Sequence, residues 1–551
     1  MNSQPKRVVI DDVDQALSLL DGKIKREGTS CTHGPRQKCV GCLPLDPYDE
    51  KYLADKGIKH MSFHSYVHKL SDLHGKGTRS KNMLETLNYR IDLDCHRHRP
   101  FPEGICTNCR PPTVTLTRQP FRHVDNIEFE NDTIVNEFLN FWRNSLCQRV
   151  GFLIGKYEQF TEVPLGIKAV ICAIYEPFQQ CTENSVGFEL NDENEGENNL
   201  NGAVDQLCEW LGLQRVGWIF TDLWNESRTL GTVKCIRNEN SFLLSASECI
   251  TAGCLQSKFK NATNYCDTGY FGSKFVTVVA SGNSSKGIDL HGYQVSNQCT
   301  AMVEADILCP TKTHPELAWV REKPLNEKHY ITSVQYTEKN EKGEEVFRDG
   351  KPMPVEYLLV DVPCGVRKVP NYTLPIIRGK EFSIENRTEI GQTQELNDVA
   401  KYLNLFKLPE QFLQIASNFH FLLFLFTNKF VEFPKEEIKE LAKIVSKKDE
   451  NEAKKWAKEN TSFATLIMLI EEIGRQSTPK NVSSIVNKTN LTNNNNSVSV
   501  GVEGSSNTSG EVDNEQQQQQ QLLPKWTCKY CTMLNSPDLI DCSMCRLPRN
   551  A

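Results

Sequence analysis

The stretch RVGWIFTDLW, residues 215–224, predicts how the middle of the chain folds. Its first six residues are rich in β-branched and aromatic side chains, a composition typical of a β-strand. Three more runs of this kind, each bounded by Gly, Pro or Asp, also predict strands. They are GIKAVICAIYEP (166–177), KFVTVVA (274–280) and PVEYLLVDVP (354–363). The middle of the chain is therefore predicted to be built on a β-sheet.

The sequence from about 395 to 474 is predicted to be helical. After Pro434, which suits an early helical position, apolar side chains recur at three- and four-residue spacing. They are Ile438, Leu441, Ile444 and Val445. An apolar run from Phe419 to Phe433 is interrupted by Asn428 and Lys429 and falls short of the roughly 20 residues that a membrane span needs. It predicts a buried helix instead.

Charge and cysteine content limit the classes of function. The 551 residues carry a formal net charge of -7, which argues against general binding to a phosphate backbone. The first residues, MNSQPKRVVIDD, contain no apolar segment of an export signal. In a chain without such a signal, 21 cysteines favour thiols and metal sites over disulfides. We therefore expect the protein in the nucleus and cytoplasm.

The C-terminal end predicts a small zinc ribbon on a flexible linker. Residues 475–523 are rich in Asn, Ser and Gln and cannot bury enough apolar surface to form a core. About 50 such residues have a root-mean-square reach of roughly 40 Å. Residues 524–551 then hold two CxxC pairs, which let four thiolates converge on one zinc ion. The predicted ligands are Cys528, Cys531, Cys542 and Cys545.

Two mixed Cys/His groups in the N-terminal region also predict zinc, because each offers soft ligands in two pairs separated by a turn. The first group supplies Cys31, His33, Cys39 and Cys42. The second group supplies Cys95, His98, Cys106 and Cys109. Two alternatives stay open: His60 or His64 could replace Cys31, and His96 could replace His98. The eleven cysteines outside these sets are interpreted as inert buried thiols.

The sequence shows no motif of a nucleophilic hydrolase or of a phosphate-binding enzyme. The sequence contains neither a Gly-x-Ser-x-Gly nucleophile turn nor a GxxxxGK phosphate loop. The segment RHVD, residues 122–125, is interpreted as a polar turn.

Several long phrases, in one order along the chain, resemble the nuclear protein localization protein 4 family. The resemblance runs from about residue 30 to 474 and resumes at the terminal ribbon. The phrases are HGPRQKCVGCLPLDPYDEKYL, KHMSFHSY, PFPEGICTNCRPPTVTLTRQPFRHVDNI, VGWIFTDL, GYFGSKFVT, GYQVSNQC and PVEYLLVD.

The resemblance implies a central domain similar to the MPN fold of zinc-dependent deubiquitinases. Those enzymes carry a His-x-His pair after a Val-Gly-Trp strand, and then a Ser-x2-Asp. Here Phe220 and Asp222 stand at the two histidine positions, and Ser245 and Glu248 are the counterpart of the later pair. The segment FLIGKY (152–157) resembles the opening strand. Because Phe220 offers no metal ligand, we expect an inactive domain; a zinc-dependent isopeptidase with unusual ligands is the alternative.

The terminal ribbon resembles the Npl4-type and RanBP-type zinc fingers. Ubiquitin-binding members carry Thr and Phe after the second cysteine and a hydrophobic residue between the last two cysteines. At these positions the chain has Thr532, Met533 and Met544, which the resemblance implies are ubiquitin-binding residues. Met533 keeps an apolar contact, with lower affinity expected. RNA-binding relatives use arginines and a stacking aromatic residue, which TMLNSPDLID lacks.

The resemblance also implies an adaptor. Family members pair with ubiquitin fusion degradation protein 1 and recruit polyubiquitinated substrates to the valosin-containing AAA unfoldase, for proteasomal degradation that includes ER-associated degradation. The N-terminal zinc sites lie against the ATPase ring, and a groove on the MPN-like domain takes an unfolding ubiquitin. The family usually begins with a ubiquitin-like domain, whereas here only residues 1–30 precede the first zinc motif. Docking on the ATPase is therefore expected to depend more on the zinc sites.

The predicted fold class is α+β with several domains. In chain order we predict a short N-terminal segment (1–30), two zinc-binding motifs (31–120), an MPN-like α/β domain with insertions (121–350), a largely helical C-terminal domain (351–474), a disordered linker (475–523) and a ubiquitin-binding zinc ribbon (524–551).

Overall fold

The structure of the chain is a computed structural model. It describes residues 8–26, 42–73, 83–189, 200–227, 230–340, 342–369, 372–375 and 377–477, and, near the C-terminus, residues 525–528, 534–537, 539–542 and 547–549.

The described residues combine helices and sheets, so the predicted mixed α and β architecture is confirmed. The helices are α1 (Asp12–Ser18), α2 (Glu50–Asp55), α3 (Phe63–Leu73), α4 (Asp132–Ser145), α5 (Leu200–Leu211), α6 (Ala246–Lys258), α7 (Asn297–Glu304), α8 (Leu396–Leu403), α9 (Phe412–Ala416), α10 (Phe419–Thr427), α11 (Lys435–Lys447), α12 (Glu450–Glu459) and α13 (Thr461–Ser477). The strands are β1 (Met61–Ser62), β2 (Val114–Leu116), β3 (Phe121–Arg122), β4 (Asn126–Phe129), β5 (Val150–Phe160), β6 (Gly166–Tyr175), β7 (Gln179–Cys181), β8 (Val186–Phe188), β9 (Gln214–Asp222), β10 (Asn225–Ser227), β11 (Thr232–Val233), β12 (Val276–Gly282), β13 (Ile288–Val295), β14 (Leu308–Pro310), β15 (Leu317–Val320), β16 (Val334–Lys339), β17 (Glu345–Asp349), β18 (Met353–Pro354), β19 (Leu359–Val362), β20 (Cys364–Val366), β21 (Trp526–Thr527) and β22 (Leu534–Asn535).

Eight strands form the central sheet, in the order β19, β13, β12, β9, β5, β6, β4, β20. Strand β9 lies near the middle, parallel to β12 and antiparallel to β5. The strand predicted from RVGWIF is thus confirmed, as are those predicted from 166–177, 274–280 and FLIGKY.

The strand predicted over 354–363 is wrong in its first half. Val355–Leu358 form a turn of 3-10 helix, and β19 begins only at Leu359. Val355 and Leu358 are both buried, and a 3-10 turn places residues three apart on one side. Burial of these two side chains therefore determines the backbone conformation here, although the composition is typical of a strand.

The central sheet curls until its two edge strands meet. Only Pro363 separates β19 from β20, although these strands lie at opposite ends of the strand order. The Ile127 backbone N–H donates to the Pro363 carbonyl at 2.8 Å where the edges join. Both edge strands follow residue 350, so the largely helical part of the chain begins after them, at Leu396.

Strand β9 is buried on both faces. Val216 and Ile219 belong to the core that packs against α4, whereas Trp218 and Phe220 belong to the larger core on the other face. Trp218 also donates from Nε1 to Thr277 Oγ1 at 2.8 Å. A strand covered on both sides needs an almost continuous apolar run, which explains the composition of RVGWIF.

The predicted helical region is confirmed as α8–α13. The apolar run from Phe419 forms the buried α10, which ends at Thr427 because Asn428 leaves the helical conformation. A fully buried ion cluster joins the segment before this region to the sheet: Glu176 accepts hydrogen bonds from Arg149 Nε at 2.7 Å and Arg387 Nε at 2.9 Å.

The interpretation of RHVD as a polar turn is wrong. Arg122, His123 and Asp125 are all buried. Arg122 Nε donates to Asp125 Oδ1 at 3.0 Å, and the His123 ring stacks on Phe63 at 4.5 Å. Burial lowers the pKa of His123 to about 3, which keeps the ring neutral. These residues join the N-terminal region to the central sheet rather than face water.

Candidate functional sites

Four side chains from the second predicted zinc group meet in the N-terminal region. The ligand atoms of Cys95, His98, Cys106 and Cys109 all lie within 4.8 Å of one another. Cys106 Sγ lies 3.7 Å from Cys95 Sγ and 3.8 Å from Cys109 Sγ. Thiolates on a tetrahedral zinc, with Zn–S of about 2.3 Å, are about 3.8 Å apart. The residues present therefore fit a structural zinc ion, which they would hold with three sulfurs and one nitrogen.

Local contacts orient the His98 ring and leave one of its nitrogens available to bind a metal. Its Nδ1 lies 2.6 Å from the Arg99 carbonyl, so this nitrogen carries the proton and donates to the carbonyl oxygen. The lone pair of Nε2 then points toward Cys109 Sγ, 3.2 Å away. A side chain at Gly104 would begin 2.8 Å from His98 Nδ1, so the loop needs glycine there to pass the ring.

The backbone also favours a charged thiolate in this centre. The N–H groups of Cys109 and Asn108 lower the pKa of Cys106 to about 6. Cys106 is thus already a thiolate at neutral pH, which is the form that binds zinc.

The first predicted zinc group lies mostly outside the described residues. Cys31, His33 and Cys39 are not described, and Cys42 is half-buried. The alternative ligands have other partners: His60 Nδ1 lies 3.0 Å from the Gln119 carbonyl, and His64 Nε2 lies 2.8 Å from Asp14 Oδ1. In the second group the structure brings His98, not His96, to the cysteines.

The terminal ribbon is described in part. Cys528 and Cys542 are buried, and Asn535 Nδ2 donates to Cys542 Sγ at 3.5 Å. Strands β21 and β22 pair antiparallel beside them. The remaining predicted zinc and ubiquitin-binding residues lie outside the described part of the chain: Cys531, Cys545, Thr532, Met533 and Met544. So does most of the predicted linker, although its first three residues end α13.

Of the cysteines interpreted as inert buried thiols, most fit that interpretation. Cys172, Cys208 and Cys299 are fully buried, and burial raises the pKa of each thiol. The exceptions to burial are Cys147, Cys181, Cys254 and Cys364, which are half-buried, and Cys235, which is exposed.

At the end of β9, an arginine lies between the carboxylates of Asp222 and Glu248. Arg237 donates from Nε to Asp222 Oδ2 at 2.6 Å. Its Nη1 and Nη2 form a two-pronged pair with Glu248 at 2.8 and 2.6 Å. The guanidinium is flanked by the Phe220 and Phe242 rings, whose centroids lie 5.6 and 4.8 Å away. A fixed organic cation thus holds the carboxylates together.

This arginine stays charged. It is 8% exposed. Although burial alone would lower the pKa of Arg237, the Glu248 and Asp222 carboxylates raise it above its ordinary value. No sequence pattern predicts this contact, because Arg237 belongs to no motif and lies fifteen residues beyond Asp222.

Ser245 and Glu248 act as a helix cap. Ser245 Oγ accepts from the Glu248 backbone N–H at 3.3 Å, and Glu248 Oε2 accepts from the Ser245 N–H at 2.8 Å. This reciprocal capping box begins α6. The pattern Ser-x-x-Glu before a helix is a capping signal, so this role could have been predicted from the sequence.

A groove of about 1110 Å³ opens where the two edges of the central sheet separate. Within the described residues, β13 pairs with β19 only through Gly292–Val295. The chain then leaves β13 and pairs with β4 as β20. The other four residues of β13, 288–291, face β20 across the groove, so two strand edges lack neighbours there.

Gly292 closes one end of the groove. A side chain at this position would begin 2.5 Å from the Val362 carbonyl and 3.2 Å from Cys364 Cβ, so the edges approach closely only because the residue is glycine. Beyond it, α4 forms one wall and the hairpin of β10 and β11 another. Apolar and polar side chains both line the groove: Leu139, Trp142, Arg143, Ile288, Asp289 and Val366.

The comparisons with known proteins agree with one another. A model of the NPL4 family matches residues 149–471, and a model of the candidate zinc-binding region of the same family matches residues 8–146. The chain is similar to the nuclear protein localization protein 4 homolog 1 of Caenorhabditis elegans, with 48% identity over 99% of this chain and 98% of that protein. The Homo sapiens homolog is 40% identical over 98% of this chain and 83% of its own length. The Saccharomyces cerevisiae protein is 35% identical over 85% and 81%.

Proposed function

The chain belongs to the nuclear protein localization protein 4 family, and we propose that it is a non-catalytic adaptor for ubiquitinated proteins. In this proposal it binds ubiquitin chains and, together with ubiquitin fusion degradation protein 1, recruits their substrates to the valosin-containing AAA unfoldase. The unfolded substrates then pass to proteasomal degradation, including ER-associated degradation. The relatives that support this proposal are named as localization proteins and not as enzymes.

The groove between β13 and β20 carries the proposal, as the site for one extended segment of an unfolding ubiquitin. An open edge of four residues spans about 13 Å and offers backbone donors and acceptors to an added strand. Backbone pairing requires no particular sequence, and the mixed lining suits a segment with both polar and apolar side chains. A segment that enters between two strand edges must have both of its own edges free, which a strand paired within the sheet of a folded ubiquitin does not.

The central domain is proposed to be an inactive MPN-like domain. At the positions of the two metal-binding histidines it carries Phe220, which is buried, and Asp222, which is bound to Arg237. A guanidinium cannot provide the open coordination position at which a metal activates water. The alternative, a zinc-dependent isopeptidase, would need a metal where the arginine now lies.

The zinc sites supply the remaining surfaces. The centre of Cys95, His98, Cys106 and Cys109 is proposed to hold zinc and to support contact with the ATPase ring. The terminal ribbon is proposed to hold a further zinc ion and to bind folded ubiquitin through Thr532, Met533 and Met544. Several modest contacts on one chain give high overall affinity without any single tight site.

We assign the protein to the nucleus and cytoplasm, with peripheral association with the ER membrane through its partners. The names of the relatives support nuclear involvement. Among the described residues, every helix is too short or too polar to cross a bilayer.

Crosslinking from the groove tests the adaptor function. A photoreactive residue replaces Val366, which lines the groove and is 42% exposed. The same residue at Phe347, which is 63% exposed on β17 and outside the groove lining, is the control. The probe is a ubiquitin chain in which one ubiquitin carries a core-destabilising substitution.

Crosslinks should form from position 366 to the destabilised chain, with few to a fully folded chain and few from position 347. Equal crosslinking from both positions, or none from 366, would refute the assignment of the groove. Incubation of the same chains with the protein, with and without chelator, tests the isopeptidase alternative. Cleavage that chelator abolishes would overturn the non-catalytic assignment.

A further inference from the structure

We propose that Arg237 is a positioning residue for the groove: it replaces a metal ion in holding the end of β9, and thereby fixes the β10–β11 hairpin that forms one groove wall. This inference rests on the proposed function of the groove as a site for extended ubiquitin. It concerns residues between Asp222 and Glu248, most of which do not line the groove themselves.

The hairpin joins the arginine site directly to the groove. Asn225 at its beginning and Gly231 near its turn both line the groove. The hairpin leaves the central sheet immediately after Asp222, and the chain returns to the same carboxylate at Arg237. Residues before and after the hairpin thus both contact the carboxylate of Asp222.

Asp222 holds both ends of the hairpin at once. Its Oδ1 accepts from Trp224 Nε1 at 2.8 Å, before the hairpin, and its Oδ2 accepts from Arg237 Nε at 2.6 Å, after it. Arg237 also donates to the Leu243 carbonyl at 2.8 Å and pairs with Glu248 on α6. One guanidinium therefore connects the sheet, the hairpin and α6.

The hairpin has other anchors as well: Leu223, just before it, accepts hydrogen bonds from Trp142 Nε1 at 3.1 Å and Gln148 Nε2 at 2.9 Å, and Val233 of β11 is buried. The Lys234 N–H donates to the Trp224 carbonyl at 2.8 Å, which closes its base. Glu226 pairs with Lys286 at 3.0 Å, but both side chains are more than a third exposed, and such pairs contribute little. The outer residue Leu230 is 77% exposed. Of these contacts, the buried arginine is the one that joins the hairpin to both β9 and α6.

A metal ion could perform the same task through the same carboxylates, and the arginine performs it with directional hydrogen bonds. Its planar fork fixes both the distance and the angle between Asp222 and Glu248. Lysine carries the charge but cannot donate to both carboxylates in this geometry. Replacement of Arg237 by lysine keeps the charge and changes the shape of the side chain, so it separates the two contributions.

The test compares Arg237→Met, Arg237→Lys and Arg215→Met in the full chain. Arg215 is the matched control: it is also buried, pairs with a carboxylate, Asp205, at 2.7 Å, and lies between two aromatic rings. It sits at the opposite end of β9 and outside the groove lining. Its replacement should lower stability without moving the wall.

Two readouts are needed: the affinity for a labelled, permanently unfolded ubiquitin variant, and amide hydrogen exchange over residues 225–233. Arg237→Met should weaken binding by about tenfold or more, because a binding wall displaced by about 1 Å loses its geometry. It should also speed exchange in the hairpin. Arg237→Lys should fall between Arg237→Met and the unsubstituted chain, and Arg215→Met should change binding less than about twofold.

The outcomes separate the two hypotheses. If the unsubstituted chain does not bind the unfolded ubiquitin, the proposed function of the groove fails, and hydrogen exchange alone decides the role of Arg237. If the chain binds but Arg237→Met matches Arg215→Met in affinity, the positioning role is refuted. Unchanged exchange in the hairpin of Arg237→Met refutes it as well.

Discussion

The Cys95–Cys109 centre and the Asp222–Glu248 site both gather side chains around one cation, which is a zinc ion in the proposal for the first and the guanidinium of Arg237 in the second. In the first, four ligands from one short loop converge with sulfur spacing that fits zinc. In the second, the guanidinium of Arg237 joins two carboxylates from different elements. The second site carries its own positive charge, whereas the first would take its charge from a zinc ion supplied by the solution. Metal removal should therefore loosen the first site and leave the second unchanged.

Loss of the metal ligands should produce the largest effect. Cys109→Ser removes a buried sulfur from the centre, and the exposed Cys235→Ser is the control. We expect the zinc content to fall by one ion per chain and the loop around residues 92–110 to become sensitive to protease. Structural zinc ions stabilise small domains by about 10–16 kcal/mol, far more than a single hydrogen bond. An unchanged zinc content in Cys109→Ser would contradict the ligand assignment.

Removal of the arginine should have the second largest effect, without any change in metal. Arg237→Met leaves two carboxylates near each other without their shared cation. Breaking a buried ion pair in this way costs about 3–5 kcal/mol, which urea unfolding of the variant would measure. Zinc content, measured on the same samples, should equal that of the unsubstituted chain. A higher zinc content would show that the two carboxylates take up a metal once the arginine is removed.

The serine at this site provides a smaller test of the same contrast. The resemblance to the MPN fold implies that Ser245 stands at the serine of the enzymes' Ser-x2-Asp pair, whereas here Ser245 caps α6. Ser245→Ala should therefore reduce the free energy of unfolding by about 1 kcal/mol, the usual value for a lost N-cap. Binding of unfolded ubiquitin and zinc content should stay unchanged. A loss of several kcal/mol would mean that the hydroxyl does more than cap the helix.

The two sites also differ in how far the sequence could predict them. The spacing of Cys95, His98, Cys106 and Cys109 is local, so the ligand group could be found without knowledge of the fold. For the second site the sequence indicated what was absent, a histidine at Phe220, but not what was present. Arg237 is positioned by the return of the hairpin, which depends on tertiary contacts. No local pattern encodes that return.

Secondary structure was likewise predicted correctly where it depends on local composition and incorrectly where it depends on distant contacts. Runs buried on both faces, such as RVGWIF, were predicted because burial dictates their composition. Residues 355–358 and RHVD were misassigned because their conformation depends on distant partners, such as Thr337 for Tyr357 and Phe63 for His123. The resemblance implied a groove, but its position and lining residues could not be predicted, because it lies where β19 and β20 diverge. A gap between strands has no sequence of its own.

The last and smallest expected effect is that of pH on the arginine site. Because the pKa of Arg237 is raised above that of an ordinary arginine, its stabilising charge is fully present below about pH 12 and is lost only as the pH rises through the folded-state pKa. The difference in unfolding free energy between the chain and Arg237→Met should thus be the same at pH 5.5 and pH 8, within about 0.5 kcal/mol.

Zinc retention should behave in the opposite way over this range. Zinc affinity falls as the pH falls, because protons compete with the metal for the three thiolates and the imidazole of the centre. The backbone N–H groups that lower the pKa of Cys106 to about 6 move this competition at Cys106 to lower pH. Acidification from pH 8 to 5.5 in the presence of a chelator should reduce the zinc occupancy of the centre while the arginine site keeps its full contribution. Urea unfolding of both proteins at the two pH values, with zinc measured in parallel, provides the comparison. If the effect of Arg237→Met halved at pH 5.5, the site would depend on a titrating group, and the contrast between a fixed and an exchangeable cation would fail.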